Sequence, residues 1–245
     1  MHIRLLTSYF LLLCLSIHCN ATQPTHITIC SPQWNYYTEK DGTGLYHELW
    51  AAVFASANIR VDIDYIPFKR CEREFTDTKT TLYDAYVGGY GASGQLIPHW
   101  HIGVDVLSVV FRRGYIKNWL GEKSLTGKRV SWERGYNFDK HGVINVEVQL
   151  KEFSKLESAL KMLHKDRIDF ILDYDIAVKG LIKELGLSGQ LEVMSNVIIG
   201  PKYYMIFSNT ERGQTLAKIW DSGMEKLHIS GELQKLYAYY NDQSY

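Results

Sequence analysis

Candidate chemistry in this chain gathers in short clusters rather than in a catalytic triad or a metal-ligand motif. Trp34, Tyr36 and Tyr37 offer flat apolar faces with polar handles, suited to stacking on an organic ligand; packing at the edge of a core is the alternative for each. Phe68 and Arg70 follow Pro67. The Arg70 guanidinium can grip a carboxylate with two parallel hydrogen bonds, in competition with a surface ion pair to Glu72 or Glu74. Gly88-Gly89-Tyr90 presents backbone N–H groups beside a ring. Arg134-Gly135-Tyr136 reads as a turn opening a helix, whose free amides favour an anionic group. Glu133 and Asp173 are the acids placed to face the same ligand, and proton donation by one of them is the only route to catalysis on view. His99 and His101 stand two apart on one face but lack a third metal ligand, and read as ordinary polar residues. Asp62 and Asp64 share the polar face of an alternating strand. These residue types favour binding of a small molecule, with neither metal nor cofactor, over catalysis.

The elements that must position these clusters alternate between strand and helix. His26 to Cys30 reads as a first strand, and Leu45, Leu49 and Val53 mark a helix face. Val61-Asp62-Ile63-Asp64-Tyr65-Ile66 alternates as a second strand, and Ala85-Tyr86-Val87 ends a third at Gly88-Gly89. Such an order predicts a parallel sheet, whose ligand crevice lies at the carboxyl ends of its strands. The Trp34 loop, the Pro67 corner and the Gly88 turn are then neighbours. Val106 to Arg113 reads as a buried strand leaving this first unit. A second αβ set follows: Lys128–Trp132, Val146–Leu150, a helix marked by Leu156, Leu160 and Leu163, a strand over Arg167–Leu172, and a short strand at Leu191–Met194. Tyr203–Phe207 reads as a return strand, and the tail is helical with a break at Gly231.

The N-terminus sets the compartment. Met1-His2-Ile3-Arg4 is basic, Leu5 to Ile17 is almost wholly apolar, and Cys19-Asn20-Ala21 has small residues where a signal peptidase reads. The pattern predicts a cleavable export signal over residues 1–21, too short to span a bilayer, and a periplasmic mature chain. His18 before Cys19 argues against a lipid anchor. Cleavage leaves Cys30 and Cys71 of the 4 cysteines, and two cysteines in an oxidising compartment read most simply as one disulfide. A Cys-His metal site is the alternative, without a Cys-x-x-Cys pair to support it. With 27 basic and 27 acidic residues, net charge gives no reason to expect nucleic acid as a partner. Aromatics reach 13%, with 17 Tyr and 6 Trp, enough to furnish a ligand cleft as well as a core.

Several motifs in order resemble those of the family 3 extracellular solute-binding proteins, related to the polar amino-acid receptors of ABC transporters. Gly44-Leu45-Tyr46-His47-Glu48-Leu49 resembles the family's helix opening, Pro67-Phe68-Lys69-Arg70-Cys71 its Pro-Trp-x-Arg corner, and Asp84-Ala85-Tyr86-Val87-Gly88-Gly89 its third strand. Leu125-Thr126-Gly127-Lys128-Arg129-Val130 with Gly135-Tyr136 resembles the start of the second lobe. Ala159 to Leu163 with Arg167-Ile168-Asp169 resembles the helix and strand that follow, and Ser230-Gly231-Glu232-Leu233 the C-terminal signature. The resemblance spans nearly the whole mature chain. It implies an α/β, two-lobed periplasmic-binding-protein fold (type II), with lobe 1 from 22–109 and 204–245, lobe 2 from 110–203, and two crossing hinge strands. It further implies a monomer that hands a small ligand to an inner-membrane permease, or to a sensor, and no enzyme; periplasmic dehydratases of related fold are the enzymatic alternative. The ligand-binding residues expected are Trp34, Tyr37, Phe68, Arg70, Gly88, Tyr90, Arg134, Tyr136 and Asp173. Amino-acid receptors carry Thr-x-x-Arg after the first lobe's glycine turn, and that arginine clamps the ligand carboxylate. Here Gly91 to Trp100 contains no arginine, so Arg70 is expected to replace it. The second-lobe acid that takes the ammonium usually lies five residues past the strand Asp; Tyr174 occupies that position, between Asp173 and Asp175. A standard α-amino acid is therefore not the assumed ligand.

Overall fold

The computed structural model of the chain describes residues 23–76, 82–92 and 94–245. The export signal expected over 1–21 lies outside the described residues. In the first lobe β1 (His26–Ser31) pairs in parallel with β2 (Arg60–Tyr65) and with β3 (Ala85–Gly89). Helix α1 (Leu45–Ala55) makes the crossover from β1 to β2 and buries Leu45, Leu49, Trp50, Val53 and Phe54. Its spacing of three and four puts those side chains on one stripe. Helix α2 (Phe68–Glu74) fills the connection from β2 to β3.

Two long antiparallel strands join the lobes. β4 (Gly103–Arg112) carries the chain out and β8 (Leu191–Phe207) carries it back. The end of β8 pairs with β3, Ala85 opposite Phe207, while its start pairs with β4, Arg112 opposite Leu191. The sequence pattern suggested two short strands, Leu191–Met194 and Tyr203–Phe207; they are the two ends of one 17-residue strand. Register shifts against β4 and a positive φ of 56° at Asn196 break the alternation that would have revealed its continuity.

In the second lobe β4 pairs antiparallel with β7 (Phe170–Tyr174), which is parallel to β5 (Arg129–Ser131), itself parallel to β6 (Gln149–Leu150). The whole order is β2-β1-β3-β8-β4-β7-β5-β6. Helices α3 (Leu156–His164) and α4 (Asp175–Glu184) cover this sheet and bury Leu160, Leu163, Val178 and Leu181. Of the strand expected over Val146–Leu150 only the last two residues pair. The helix expected to open at Gly135 does not form: residues 135–142 are loop and turns. The Gly135 N–H, which was to greet an anion, donates to the Glu152 carboxylate at 3.1 Å, and the Arg134 N–H donates to the Phe153 carbonyl at 2.8 Å. The chain ends on the first lobe with α5 (Glu211–Ser230) and α6 (Glu232–Tyr239). The Thr210 hydroxyl caps α5 by accepting the Gly213 N–H at 3.0 Å, the usual remedy for orphan amides. Trp220, Met224, Leu233 and Tyr237 then close the core around α1.

Cys30 and Cys71 are bonded, with Cα atoms 5.6 Å apart. The parallel register sets Cys30 opposite Asp64 near the end of β2, and α2 brings Cys71 back over it. The bridge ties the loop carrying Trp34 to the corner carrying Phe68.

Candidate functional site

Carboxyl ends of β1, β2 and β3 from one lobe, and of β5 and β7 from the other, supply the walls of a cavity of about 630 Å³. The first lobe contributes Trp34 and Tyr37 from the loop after β1, Tyr46 from α1, Phe68 from α2, Gly88 from the end of β3 and Tyr90 just beyond it. Opposite stand Glu133, Tyr136 and Phe138 after β5, with Asp173 and Tyr174 at the end of β7. This is the crevice position that the strand order dictates.

The walls are aromatic and continuous. Trp34 lies 5.9 Å from Phe68 and 6.4 Å from Tyr136, ring centre to ring centre, and Phe68 lies 5.7 Å edge-on to Tyr136. On the other side Tyr37 meets Tyr174 at 5.9 Å, and Tyr174 meets Tyr203 at 6.0 Å. Several of these pairs join one lobe to the other, so the lobes are closed on each other. Further contacts hold that closure. His141 stacks on Tyr90 at 4.0 Å, and the Tyr36 hydroxyl donates to Glu184 Oε1 at 3.2 Å. Gly180 makes room for the Tyr36 ring, since a Cβ there would lie 2.3 Å from the Tyr36 hydroxyl oxygen.

The charged groups sunk among these rings are acids. Asp173 is 5% exposed, and burial pushes its carboxyl up to about 7. Its hydrogen bond is local, from the Tyr174 N–H at 2.8 Å. Burial and the neighbouring Asp173 raise Glu133 to about 8, against contacts from the Tyr136 hydroxyl and the Trp34 indole that favour its charge. The indole contact is weak: Trp34 Nε1 is buried without completing a hydrogen bond. Among the described residues neither acid has a cation within salt-bridge distance. A third acid, Asp105 on β4, is fully buried and is raised to about 6 by that burial, partly offset by two tyrosine hydrogen bonds. Tyr90 and Tyr174, one from each lobe, both donate to it at 2.6 Å.

Of the residues expected at the ligand, Trp34, Tyr37, Phe68, Gly88, Tyr90, Arg134, Tyr136 and Asp173 all line the cavity. Arg134 does so only at its mouth, with a 63% exposed side chain set 3.8 Å from Glu152. Arg70 does not. It is exposed and absent from the lining, because α2 starts at Phe68 and a residue two further on lies about 200° around the helix. Phe68 faces inward, so Arg70 faces out, where its charge acts on the Tyr83 hydroxyl beside Asp64. His99 and His101 do not share a face either. His99 is exposed, and His101 is buried and stacked on Tyr245 at 4.5 Å. Tyr46, Tyr174, Tyr203 and Asp105 were missed. Tyr46 sits within an apolar helix stripe and Asp105 just ahead of an apolar strand run, so neither stands out from core residues by pattern.

No family model and no curated protein matches the chain by sequence. Solved structures match it by fold. A histidine kinase sensor domain with similarity to periplasmic binding proteins gives a TM-score of 0.70 at 16% identity, over 89% of this chain and 96% of that one. A Streptococcus mutans structure tied to glutathione import via GshT and the cystine ABC importer TcyBC gives 0.69 at 20% identity, over 91% and 97%. The substrate-binding protein of an ABC uptake transporter from Streptococcus pneumoniae, with bound histidine, gives 0.68 at 20%, over 88% and 92%. At these identities the likeness is one of fold: the chain has the two-lobed periplasmic-binding-protein fold of type II, the architecture its sequence motifs imply.

Proposed function

We propose that this protein is an exported solute-binding protein that captures a small organic molecule between its lobes and delivers it to an ABC-type transporter. The observation that carries the reading is the cavity of about 630 Å³ walled by both lobes, with contacts such as Tyr36 to Glu184 that form only when the lobes meet. A cavity of that size suits a small metabolite. The lobes, residues 22–109 with 204–245 and residues 110–203, hinge where β4 and β8 pass between them, with Val104 opposite Lys202 and Val106 opposite Ile199. The hinge points expected at Val109 and Met205 lie just inside the second and first sheets, where Val109 pairs with Leu172 and Met205 with Val87. Periplasmic location rests on the leader-like residues 1–21, and a monomer suffices because the whole cavity belongs to one chain. The match to a histidine kinase sensor domain supports a second reading, in which the closed form signals to a membrane sensor. Binding is preferred to catalysis because the fold neighbours are binding proteins and a sensor domain.

A thermal-shift screen against a small-metabolite library tests this, since a ligand of the folded state alone raises its stability. The expected result is a hit recovered chemically unchanged after incubation. A hit that is consumed would replace the binding reading with an enzymatic one, and the absence of any hit would count against both.

A further inference from the structure

The sequence resemblance is to amino-acid receptors, yet among the described residues the interior of the cleft holds no cation to pair with an amino acid's carboxylate. Most tyrosine hydroxyls on its walls are already engaged. Tyr37 donates to Asp242 at 2.9 Å, and Tyr90 and Tyr174 both donate to Asp105. Tyr46 and Tyr203 share a hydrogen bond at 2.8 Å, leaving one hydroxyl proton between them. The Trp34 indole and the Tyr136 hydroxyl are turned to Glu133. Cations do line the cavity, but only at its mouth: Lys40, Lys69, Arg134 and Lys155 are all exposed. Lys69 is held by Glu72 at 2.6 Å and Arg134 lies toward Glu152.

What the interior lacks is positive charge. Asp173 is buried and aimed into the cavity with no side-chain partner, and Glu133 stands near it. A desolvated carboxylate without a cation is unfavourable, and a ligand bringing that cation removes the penalty. The surrounding rings of Trp34, Phe68, Tyr136 and Tyr174 present the negative faces that attract an ammonium or guanidinium group. Resting on the solute-binding reading and narrowing it, we infer that the ligand is an organic cation without a carboxylate, an amine, guanidine or quaternary ammonium, held by Asp173 and Glu133 inside the aromatic walls. The first lobe supplies Trp34 and Phe68 and the second supplies both acids, so lobe closure itself assembles the site. The raised carboxyls add a consequence: the cation displaces protons that the empty cleft retains at neutral pH.

Calorimetry on the mature protein with three matched pairs tests the inference: choline against glycine betaine, agmatine against arginine, and phenethylamine against phenylalanine. Each pair differs chiefly by one carboxylate. The expected result is that at least one cation binds about tenfold or more tightly than its carboxylate-bearing partner, the scale of one charge-assisted contact. That cation should also weaken about tenfold or more in the isosteric variants Asp173→Asn and Glu133→Gln, and should release protons on binding, read as a heat that changes with buffer. Equal or tighter binding of the carboxylate member in every pair, or binding of none of the three cations, overturns the inference. If an anionic or neutral compound from the metabolite library binds instead, the solute-binding reading stands and only the cation is wrong.

Discussion

Replacing Glu133 by glutamine should make the ligand-free protein more stable while weakening its grip on a ligand. Burial and the charge of Asp173 raise the Glu133 carboxyl from 4.5 to about 8. A carboxyl whose folded pKa lies above its unfolded value binds its proton more tightly in the native state. Below about pH 4.5 both states are protonated and the group is neutral to stability. As pH rises toward about 8 the unfolded chain ionises freely, the folded chain does not, and stability is lost. At pH 7 about two and a half pH units of that window have passed, which at about 1.4 kcal/mol each is about 3 kcal/mol. Glu133 keeps some contact with solvent, and screening reduces the figure to about 1.5–3 kcal/mol. Glutamine keeps the shape and cannot ionise. The Glu133→Gln variant should therefore melt about 3–12 °C higher at pH 7 for a chain of this size, with the gain vanishing near pH 4.5. Thermal unfolding of both proteins across that range is the assay. A variant less stable than the parent at neutral pH, or a gain that does not change with pH, would refute the assignment of a buried, unpaired carboxyl.

Three further outcomes follow from named contacts. Removing the Cys30–Cys71 bond by a double alanine substitution should cost about 4 kcal/mol in the chain-entropy model, given a separation of 41 residues; urea unfolding of oxidised parent and variant measures it. Gly180→Val should leave the melting temperature of the free protein nearly unchanged but hold the lobes apart, because a Cβ at 180 would meet the Tyr36 ring; small-angle scattering should then find a larger radius than the parent's under ligand. Arg70→Ala should change ligand affinity by less than about twofold, as expected of an exposed side chain outside the cavity; a large loss in calorimetry would restore Arg70 to the site.

The fold was legible because its signals are local and repeated. Alternation in Val61–Ile66, the helix stripe from Leu45, and the glycine turn at Gly88-Gly89 each specify an element, and the strand–helix order specifies a parallel sheet and its crevice. β8 was harder to read as one strand, since a long strand that passes from one lobe's sheet to the other changes its buried face along the way and carries Asn196 at positive φ. Within the site, residues in loops at strand ends were legible: Trp34, Tyr37, Tyr90, Tyr136 and Asp173 all reach the cavity. Tyr46 was hidden by its helix stripe, and Tyr174 by sitting between two acids that drew more notice. Arg70 was misread because a two-residue step inverts a helical face, and the corner motif does not say at which residue α2 begins. The buried state of Glu133 follows from packing by Trp34 and Tyr136, residues far apart in the chain or across a turn, which no local pattern encodes.

On the proposed function, the two lobes close around a small molecule held at Asp173 and Glu133. The most direct test is small-angle scattering of the mature protein, alone and with a saturating amount of whichever of choline, agmatine or phenethylamine raises the melting temperature most. The radius of gyration should be smaller in the presence of that cation, with the shrinkage abolished in Asp173→Asn. An identical radius with and without saturating ligand would contradict closure, and unaltered shrinkage in the variant would contradict the place assigned to the ligand.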